Sequence, residues 1–379
     1  MNKIRVGITG QSGFIGTHLY NRLRLLPDDF ICQKFDDSFF SDNVKLQMFV
    51  KNCDVIVHLA AVNRSEDEDE LYNTNIVLVK QLQNACEATQ TFPHIIFSSS
   101  IQETNKSAYG RSKIDGRLLF MDWANKHSVA FTGLLIPNVF GEFCRPNYNS
   151  VIATFAHNLT HDKPVTIITD SVIPFIYVAS LCEIICADIK TVRSAGESII
   201  KLIEVPEDFR MKVSEVRELF IAFKEMYLQN GFIPLLENKN TINLFNTFRS
   251  YISLSAYFPK FLQQHADARG NFVETIRLKA GGQISFSTTN PGVTRGNHFH
   301  TRKIERFTVM HGLAKISLRR VGTTQVYEFI LNGNEPSYVD MPVWYTHNIT
   351  NIGTDTLYTQ FWINEWYDQN DPDTFFEEV

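Results

Sequence analysis

Short apolar runs alternate with longer amphipathic ones through the first half of the chain. KIRVGIT (3–9), DFICQKF (29–35), CDVIVHLAA (53–61) and HIIFSSS (94–100) are compact and rich in β-branched or apolar residues, which predicts strands. Between them, GTHLYNRLRLL (16–26), VKLQMFVKN (44–52) and TNIVLVKQLQNACEAT (74–89) repeat apolar residues at helical spacing. This alternation predicts an α/β fold, a Rossmann-type doubly wound parallel sheet with helices on both faces. Wholly apolar strands suit such a sheet, because each strand is buried on both sides. After residue 180 helical segments such as VSEVRELFIAFKEMYL (213–228) dominate. From about residue 250 the texture changes to eight short strand-like runs, beginning with FVETIRL (272–278) and ending with TLYTQFWI (356–363), punctuated by GG, NPG and NGN. Evenly spaced strands without helices predict an all-β sandwich or barrel. The expected domains are therefore 1–248, with a helical part from about 145, and 249–379.

Composition narrows the function classes. The 379 residues are 44% hydrophobic and 20% charged, which is globular and long enough for two domains. A net charge of -5 with no long Lys/Arg cluster excludes nucleic acid as a partner. The acidic run SEDEDE (65–70) is a solvated loop. No apolar run reaches the ~18–20 residues of a membrane span, and MNKIRVGITG enters a strand without a signal-peptide core. The six cysteines form no CxxC pair. A reduced, cytoplasmic chain without membrane insertion is expected.

Candidate chemistry lies at both ends. ITGQSGFIG places Gly10, Gly13 and Gly16, with Phe14 and Ile15, between the first strand and the first helix. Glycines there allow a tight turn and let a pyrophosphate approach the helix N-terminus. SSS (98–100) is followed by YGRSK (109–113), so Tyr109 and Lys113 share a helical face. The ammonium is expected to lower the phenol's pKa and make it a usable acid/base. Ser100, ahead of Ser98 and Ser99, is expected to hold a substrate oxygen. Asp36, about 20 residues past the last glycine, suits a ribose hydroxyl and NAD, whereas Lys34 suits the 2′-phosphate of NADP; both remain open. These motifs, with HLAA (58–61) and IPNVFG (136–141), resemble the extended short-chain dehydrogenase/reductase family of sugar-nucleotide enzymes over residues 1–240. The resemblance implies that Tyr109 moves the proton and that Lys113 also holds the nicotinamide ribose. It further implies that Leu59, Ala60 and Ala61 line the cofactor and that Asn138 faces substrate. In RPNYNS, Asn147 and Asn149 suit sugar hydroxyls and Arg145 suits a pyrophosphate.

At the other end the spacing is G-x5-H-x-H-x4-E-x6-G, from Gly292 through His298, His300 and Glu305 to Gly312. Residues two apart in a strand point the same way, so both histidines face one interior. Glu305 joins them across a turn, and PVWYTHNITN supplies His347. Three imidazoles and a carboxylate suit one divalent metal such as zinc, iron or nickel. The pattern resembles the cupin superfamily, a jelly-roll barrel, over 255–379, although Trp344 stands where the second cupin motif has glycine. DARGNFVET (267–275) and GVTRGNHF (292–299) also resemble the dTDP-4-keto-sugar 3,5-epimerases. That likeness implies substrate contacts for Arg269, Glu274 and Arg295, and a base at His298. A histidine that ligates metal is not free as the base, so Tyr345, Lys303 and His311 stand as alternatives.

Both sites suit one substrate. The whole chain resembles a family of bifunctional bacterial enzymes of capsule polysaccharide assembly. That family implies a homodimer with NADPH (NADH as the alternative) and zinc, acting on the path to UDP-N-acetyl-L-fucosamine. Its cupin epimerises carbon 3 of a UDP-4-keto sugar and its reductase then forms UDP-2-acetamido-2,6-dideoxy-L-talose. The rival expectations are an NAD-dependent 4-epimerase or dehydratase with a structural cupin, and a non-catalytic sugar-nucleotide sensor.

Overall fold

The computed structural model describes residues 3–195, 199–268 and 270–379, and its contacts divide the chain into two units, 1–151 with 170–213 and 152–169 with 214–379. In the first unit the chain runs β1 (Ile4–Thr9), α1 (Phe14–Arg24), β2 (Phe30–Gln33), α2 (Asn43–Lys51), β3 (Val55–His58) and α3 (Glu68–Thr89). It continues through β4 (His94–Ser100), α4 (Ala108–His127), β5 (Phe131–Ile136) and β6 (Asn138–Phe140). After α5 (Val151–Thr160) come β7 (Val172–Tyr177), α6 (Val178–Ala195), β8 (Ile200–Glu204) and β9 (Phe209–Lys212). A six-stranded sheet of order β2-β1-β3-β4-β5-β8 is parallel throughout. Every residue of β3 and β4 is buried, as expected for strands covered on both faces. Helix α2 lies hard on the sheet: a Cβ on Gly7 would fall 2.4 Å from the Phe49 ring. Phenylalanines 35, 40, 49, 97, 120 and 131 fill one core. Chain direction across the sheet reverses between β1 and β3, so a crevice opens at their carboxyl ends, where nucleotides bind in such folds.

Besides α5, the second unit holds α7 (Val213–Phe223) and a π turn (Lys224–Gln229), then β10 (Phe232–Ile233), α8 (Lys239–Arg249) and α9 (Leu254–Tyr257). The β-rich part comprises β11 (Lys260–Phe261), β12 (Gln264–Asp267), β13 (Gly270–Val273), β14 (Arg277–Leu278), β15 (Gln283–Thr289), β16 (Thr294–Phe299) and β17 (Glu305–His311). It ends with β18 (Leu313–Arg320), β19 (Val326–Asn332), β20 (Ser337–Met341), β21 (Tyr345–Asn351), β22 (Leu357–Ile363) and β23 (Phe375–Phe376). Two five-stranded sheets, β11-β20-β17-β22-β15 and β19-β18-β21-β16-β23, are antiparallel at each pairing. They share one core, with Phe307, Val309 and Val339 from the first meeting Ile316, Leu318 and Ile349 from the second. This is the expected cupin sandwich.

The change of texture near residue 248 falls inside this unit. Helices α7 and α8 pack through Phe220, Phe223, Phe245 and Phe248, and they are joined to the sheet by a buried polar network. Arg306 on β17 grips Asp340 on β20 through two bonds of 2.6 and 2.9 Å. The Tyr227 hydroxyl donates to the same carboxylate at 2.6 Å. Arg249 donates to the Tyr227 oxygen and to the Met341 carbonyl, both at 3.3 Å. The Arg306 guanidinium also lies 3.6 Å over the Tyr338 ring. Among the described residues no helix is long and apolar enough to cross a membrane.

An ion pair this deep is costly to break from one side, because the surviving charge stays buried. Arg306→Ala is expected to lose about 3–5 kcal/mol of stability. The double variant Arg306→Met/Asp340→Leu should recover most of it, as read by urea unfolding.

Candidate active sites

The crevice of the first unit is built by backbone proximity. Gly10 adopts φ +70°, and a Cβ there would lie 2.9 Å from the Ala60 nitrogen. A Cβ on Gly16 would lie 2.2 Å from the Gly10 carbonyl oxygen, so the loop closes tightly only over glycine. Leu59 and Ala60 are thereby set against the glycine loop, and the Leu59 amide donates to the Thr9 carbonyl. Lys34 and Asp36 are both exposed on either side of buried Phe35. The Asp36 carboxylate is occupied, accepting from the Ser38 amide at 2.9 Å. The adjacent Asp37 reaches the loop itself, accepting from the Ser12 hydroxyl at 2.9 Å.

Ser100 ends β4, and its hydroxyl accepts from the Gln102 amide at 3.1 Å. Ser98 is committed to the His58 carbonyl, and the Ser99 hydroxyl to Glu103. Arg117 on α4 grips Glu103 through two 2.8 Å bonds, which fixes the turn between the serines and α4. Asn75 bonds Val62 and the Ser112 hydroxyl, and Ser112 bonds the Tyr109 carbonyl, so α3 also braces α4. Lys113 donates to the Ser98 carbonyl at 2.9 Å, and its Nζ lies 5.5 Å from the centre of the Tyr109 ring. Burial pushes the Tyr109 phenol up to about 12, helped by neighbouring Tyr148. Burial also pulls the Lys113 amine down to about 8, against the pull of Glu103. Desolvation thus outweighs the expected lowering of the phenol by the ammonium. Tyr109 keeps its proton.

Tyr148 belongs to the RPNYNS loop and acts electrostatically on Tyr109, so that loop lies near Tyr109. Arg64 donates to its carbonyl, and Arg145 lies 5.1 Å over its ring. Arg145, Asn147 and Asn149 are exposed on the same loop, while Asn138 is half-buried and bonded to the Pro174 carbonyl.

In the second unit His298, His300, Glu305 and His347 bring their ligand atoms within 4.8 Å of one another. Glu305 Oε2 is 3.1 Å from His300 Nε2 and 3.2 Å from His347 Nε2. All three atoms are buried and make no hydrogen bond. Meanwhile His300 Nδ1 bonds the Asp373 carbonyl and His347 Nδ1 the Tyr345 carbonyl. With Nδ1 donating, each Nε2 presents its lone pair to the cluster, which is the arrangement a divalent cation requires. The residues fit a metal.

Two backbone features support this site. Trp344 adopts φ +62°, so it performs the left-handed turn in which glycine was expected. Its ring stacks on Phe299 at 5.6 Å, which compensates for the strained backbone. A bulge between Gly296 and His298 shifts the register of β16. Arg295 pairs with Ile349 and His298 with His347, so Arg295 and His298 share the barrel's inner face. Arg295 is exposed at the open side of that face. Glu274 is elsewhere: it pairs with Arg277 at 2.6 Å and lines a cavity of about 360 Å³ with Lys260, His265, Arg306 and Tyr338. That cavity lies on the outer face of the sheet, and this chain does not bring Glu274 to the histidines. Arg269 lies outside the described residues. Of the base candidates, Lys303 is buried and bonded to the Pro372 carbonyl, and His311 is exposed at the far end of β17. Tyr345 is two residues from His347 on the same face, its phenol pushed up to about 12 by burial.

Comparisons with known proteins follow the same division. The NAD dependent epimerase/dehydratase family matches residues 6–201, and the polysaccharide biosynthesis C-terminal domain matches 265–375. The chain is 31% identical over 373 residues to UDP-2-acetamido-2,6-beta-L-arabino-hexul-4-ose reductase of Pseudomonas aeruginosa, spanning 98% of both chains. It is 27% identical over 126 residues, 30% of its length and 82% of the relative's, to the spore coat polysaccharide biosynthesis protein SpsL of Bacillus subtilis. The crystal structure of capsular polysaccharide assembling protein CapF from Staphylococcus aureus matches 99% of this chain and 100% of that one, with a TM-score of 0.61 at 33% identity.

The dehydrated lysine has a sign that can be measured. Its folded pKa of about 8 lies below its unfolded value of 10.5, so the unfolded chain binds more protons between those values, and stability falls as pH drops from 10.5 to 8 and levels off below. In nucleotide-free protein, Lys113→Met should therefore gain about 1–3 kcal/mol at pH 7. The gain should shrink toward pH 10 in urea unfolding.

Proposed function

The chain belongs to the NAD-dependent epimerase/dehydratase family, and from that premise we propose that it is a bifunctional nucleotide-sugar enzyme of bacterial surface polysaccharide synthesis. Residues 1–248 reduce the 4-keto group of a UDP-2-acetamido-2,6-dideoxy-hexulose, and residues 249–379 epimerise its carbon 3. The product is UDP-2-acetamido-2,6-dideoxy-L-talose, on the path to UDP-N-acetyl-L-fucosamine. The observation that carries this is the coexistence of the Ser100–Tyr109–Lys113 set and the four-residue His/Glu cluster in a chain that matches a hexulose reductase end to end.

NADPH, when bound, supplies the hydride to carbon 4. Tyr109 supplies the proton to oxygen 4, and reduction requires a phenol that still holds one, which is the state burial enforces. Ser100 orients the same oxygen, while Lys113 holds the nicotinamide ribose. Arg145, Asn147 and Asn149 meet the pyrophosphate and sugar from the loop beside Tyr109, with Asn138 at its base. Gly10, Gly13, Phe14, Ile15 and Gly16, together with Leu59, Ala60 and Ala61, cradle the dinucleotide. NADPH is favoured over NADH because Lys34 is an exposed cation suited to a 2′-phosphate, while the Asp36 carboxylate beside it already accepts from the Ser38 amide.

Zinc bound by His298, His300, Glu305 and His347 would polarise the ketone and acidify carbon 3. Arg295 holds the substrate on the same inner face. With His298 among the ligands, Tyr345 is the base candidate that strand alternation puts on the same face as His347. We place the enzyme in the cytoplasm as a homodimer. Exposed Ile284, Phe286, Met310 and Tyr358 form an apolar patch on the outer face of β15, β17 and β22 that a second copy can cover.

Tyr109→Phe should lower NADPH oxidation by about 10²–10⁴-fold while leaving solvent deuterium exchange at carbon 3 intact. Loss of both would show that one site serves both steps. Lys34→Ala should raise KM for NADPH by roughly 10-fold or more, as expected for one charge-assisted hydrogen bond, with NADH turnover unchanged; an equal effect on both cofactors would contradict the choice of NADPH.

A further inference from the structure

The segment Asp371–Glu378 runs back along the barrel and is bound there through β16, Arg319 and the loop between His300 and Glu305. β23 pairs with β16 at His298 opposite Phe376 and Phe299 opposite Phe375. Phe375 stacks on Phe299 at 5.5 Å, continuing the stack from Trp344. The Glu377 amide donates to the Asn297 carbonyl at 3.0 Å, and the Glu377 carboxylate pairs with Arg319 at 2.9 Å.

Asp373 is the centre of this attachment. Its carboxylate, in a residue only 3% exposed, accepts from three successive backbone amides. The distances are 3.0 and 3.2 Å from Thr301, 3.0 Å from Arg302 and 3.0 Å from Lys303. It also accepts from the Thr301 hydroxyl at 2.6 Å. The carbonyl of the same residue accepts from His300 Nδ1 at 2.5 Å. The adjacent Pro372 carbonyl and Thr374 hydroxyl accept from Lys303 Nζ at 2.5 and 3.4 Å. One residue therefore fixes both the tautomer of His300 and residues 301–303 of the turn that leads to Glu305. Asp373 holds φ +41°, a left-handed conformation that a non-glycine residue keeps only when its surroundings determine it.

We infer that Asp373 is a positioning residue for the metal, and that its carboxylate and carbonyl set the affinity of the His298/His300/Glu305/His347 cluster without touching the ion. This rests on the metal reading above. An outer partner of a ligating histidine fixes its orientation and basicity, and its loss weakens binding although all ligands remain.

The test measures zinc affinity by competition with a chromophoric chelator and the visible spectrum of the cobalt(II) form, using the full chain. Asp373→Ala should bind zinc about 10–100-fold more weakly and shift the cobalt bands, with all four ligands intact. Asp373→Asn keeps an acceptor oxygen and should lose less. Thr301→Val removes one bond of the set and should show a smaller loss in the same direction, which keeps the test available if Asp373→Ala fails to fold. Zinc affinity within about two-fold of the parent and an unchanged cobalt spectrum in Asp373→Ala would overturn the inference. A parent protein that takes up neither ion would overturn the metal reading itself.

Discussion

A buried ion pair is tolerated only where each ion's remaining bonding capacity is filled, and this condition organises the second unit. Arg306 and Asp340 satisfy each other bidentately, Tyr227 fills a further site on the carboxylate, and the Tyr338 ring covers the guanidinium. The pair therefore requires the helical segment that delivers Tyr227 and Arg249. It also fixes orientation within β17. Alternation along a strand means that an outward Arg306 forces Glu305, Phe307 and Val309 inward. A one-residue slip would carry the Glu305 carboxylate away from the three histidines to the wrong side of the sheet.

The two candidate sites use low dielectric in opposite ways. Around Tyr109 and Lys113, burial disfavours the ionised forms, keeping a proton on the phenol and weakening the ammonium. In the barrel, buried lone pairs are gathered without donors and so favour a cation. Each arrangement suits one step on the same ketone. Proton exchange at carbon 3 is reversible and depends on charge stabilisation next to the carbonyl. Reduction at carbon 4 consumes the carbonyl and so fixes whichever epimer is present.

Much of this was legible in the sequence where chemistry and local spacing coincide. The glycine loop, the SSS and YxxxK segments and the HxH-Glu spacing all lie within short windows, and strand or helix periodicity alone places their side chains. His347 was legible for a different reason, as a histidine two residues into a strand after a Pro-containing turn. The remainder depends on contacts distant in sequence. Tyr227 meets Asp340 across 113 residues, so nothing local showed that the helices after residue 213 pack with the barrel. The lowering of the Tyr109 phenol was expected from a pair interaction, whereas its burial arises from many surrounding residues and reverses the sign. Trp344 breaks the glycine pattern while keeping its backbone conformation, because stacking on Phe299 supplies what glycine would have gained from freedom. Asp37 and Asn75 carried no motif, and only the fold brings Asp37 to the glycine loop and Asn75, on α3, to α4.

The bulge in β16 has a further meaning for how such a barrel changes over time. An unbroken strand would send Arg295 and His298, three positions apart, to opposite sides. Asn297, left-handed at φ +60°, is the added residue that brings them to the same side, and the Asn348 side chain ties it down at 2.8 Å. Parity along the strand is thus set by how one residue is held. Deleting it would leave Arg295 and His298 two apart in a regular strand, still on one side, whereas straightening the bulge with Asn297 retained would turn the arginine away from the histidine. Substitutions that release the bulge, more than loss of its extra residue, are the events that would part Arg295 from the histidine cluster in this fold.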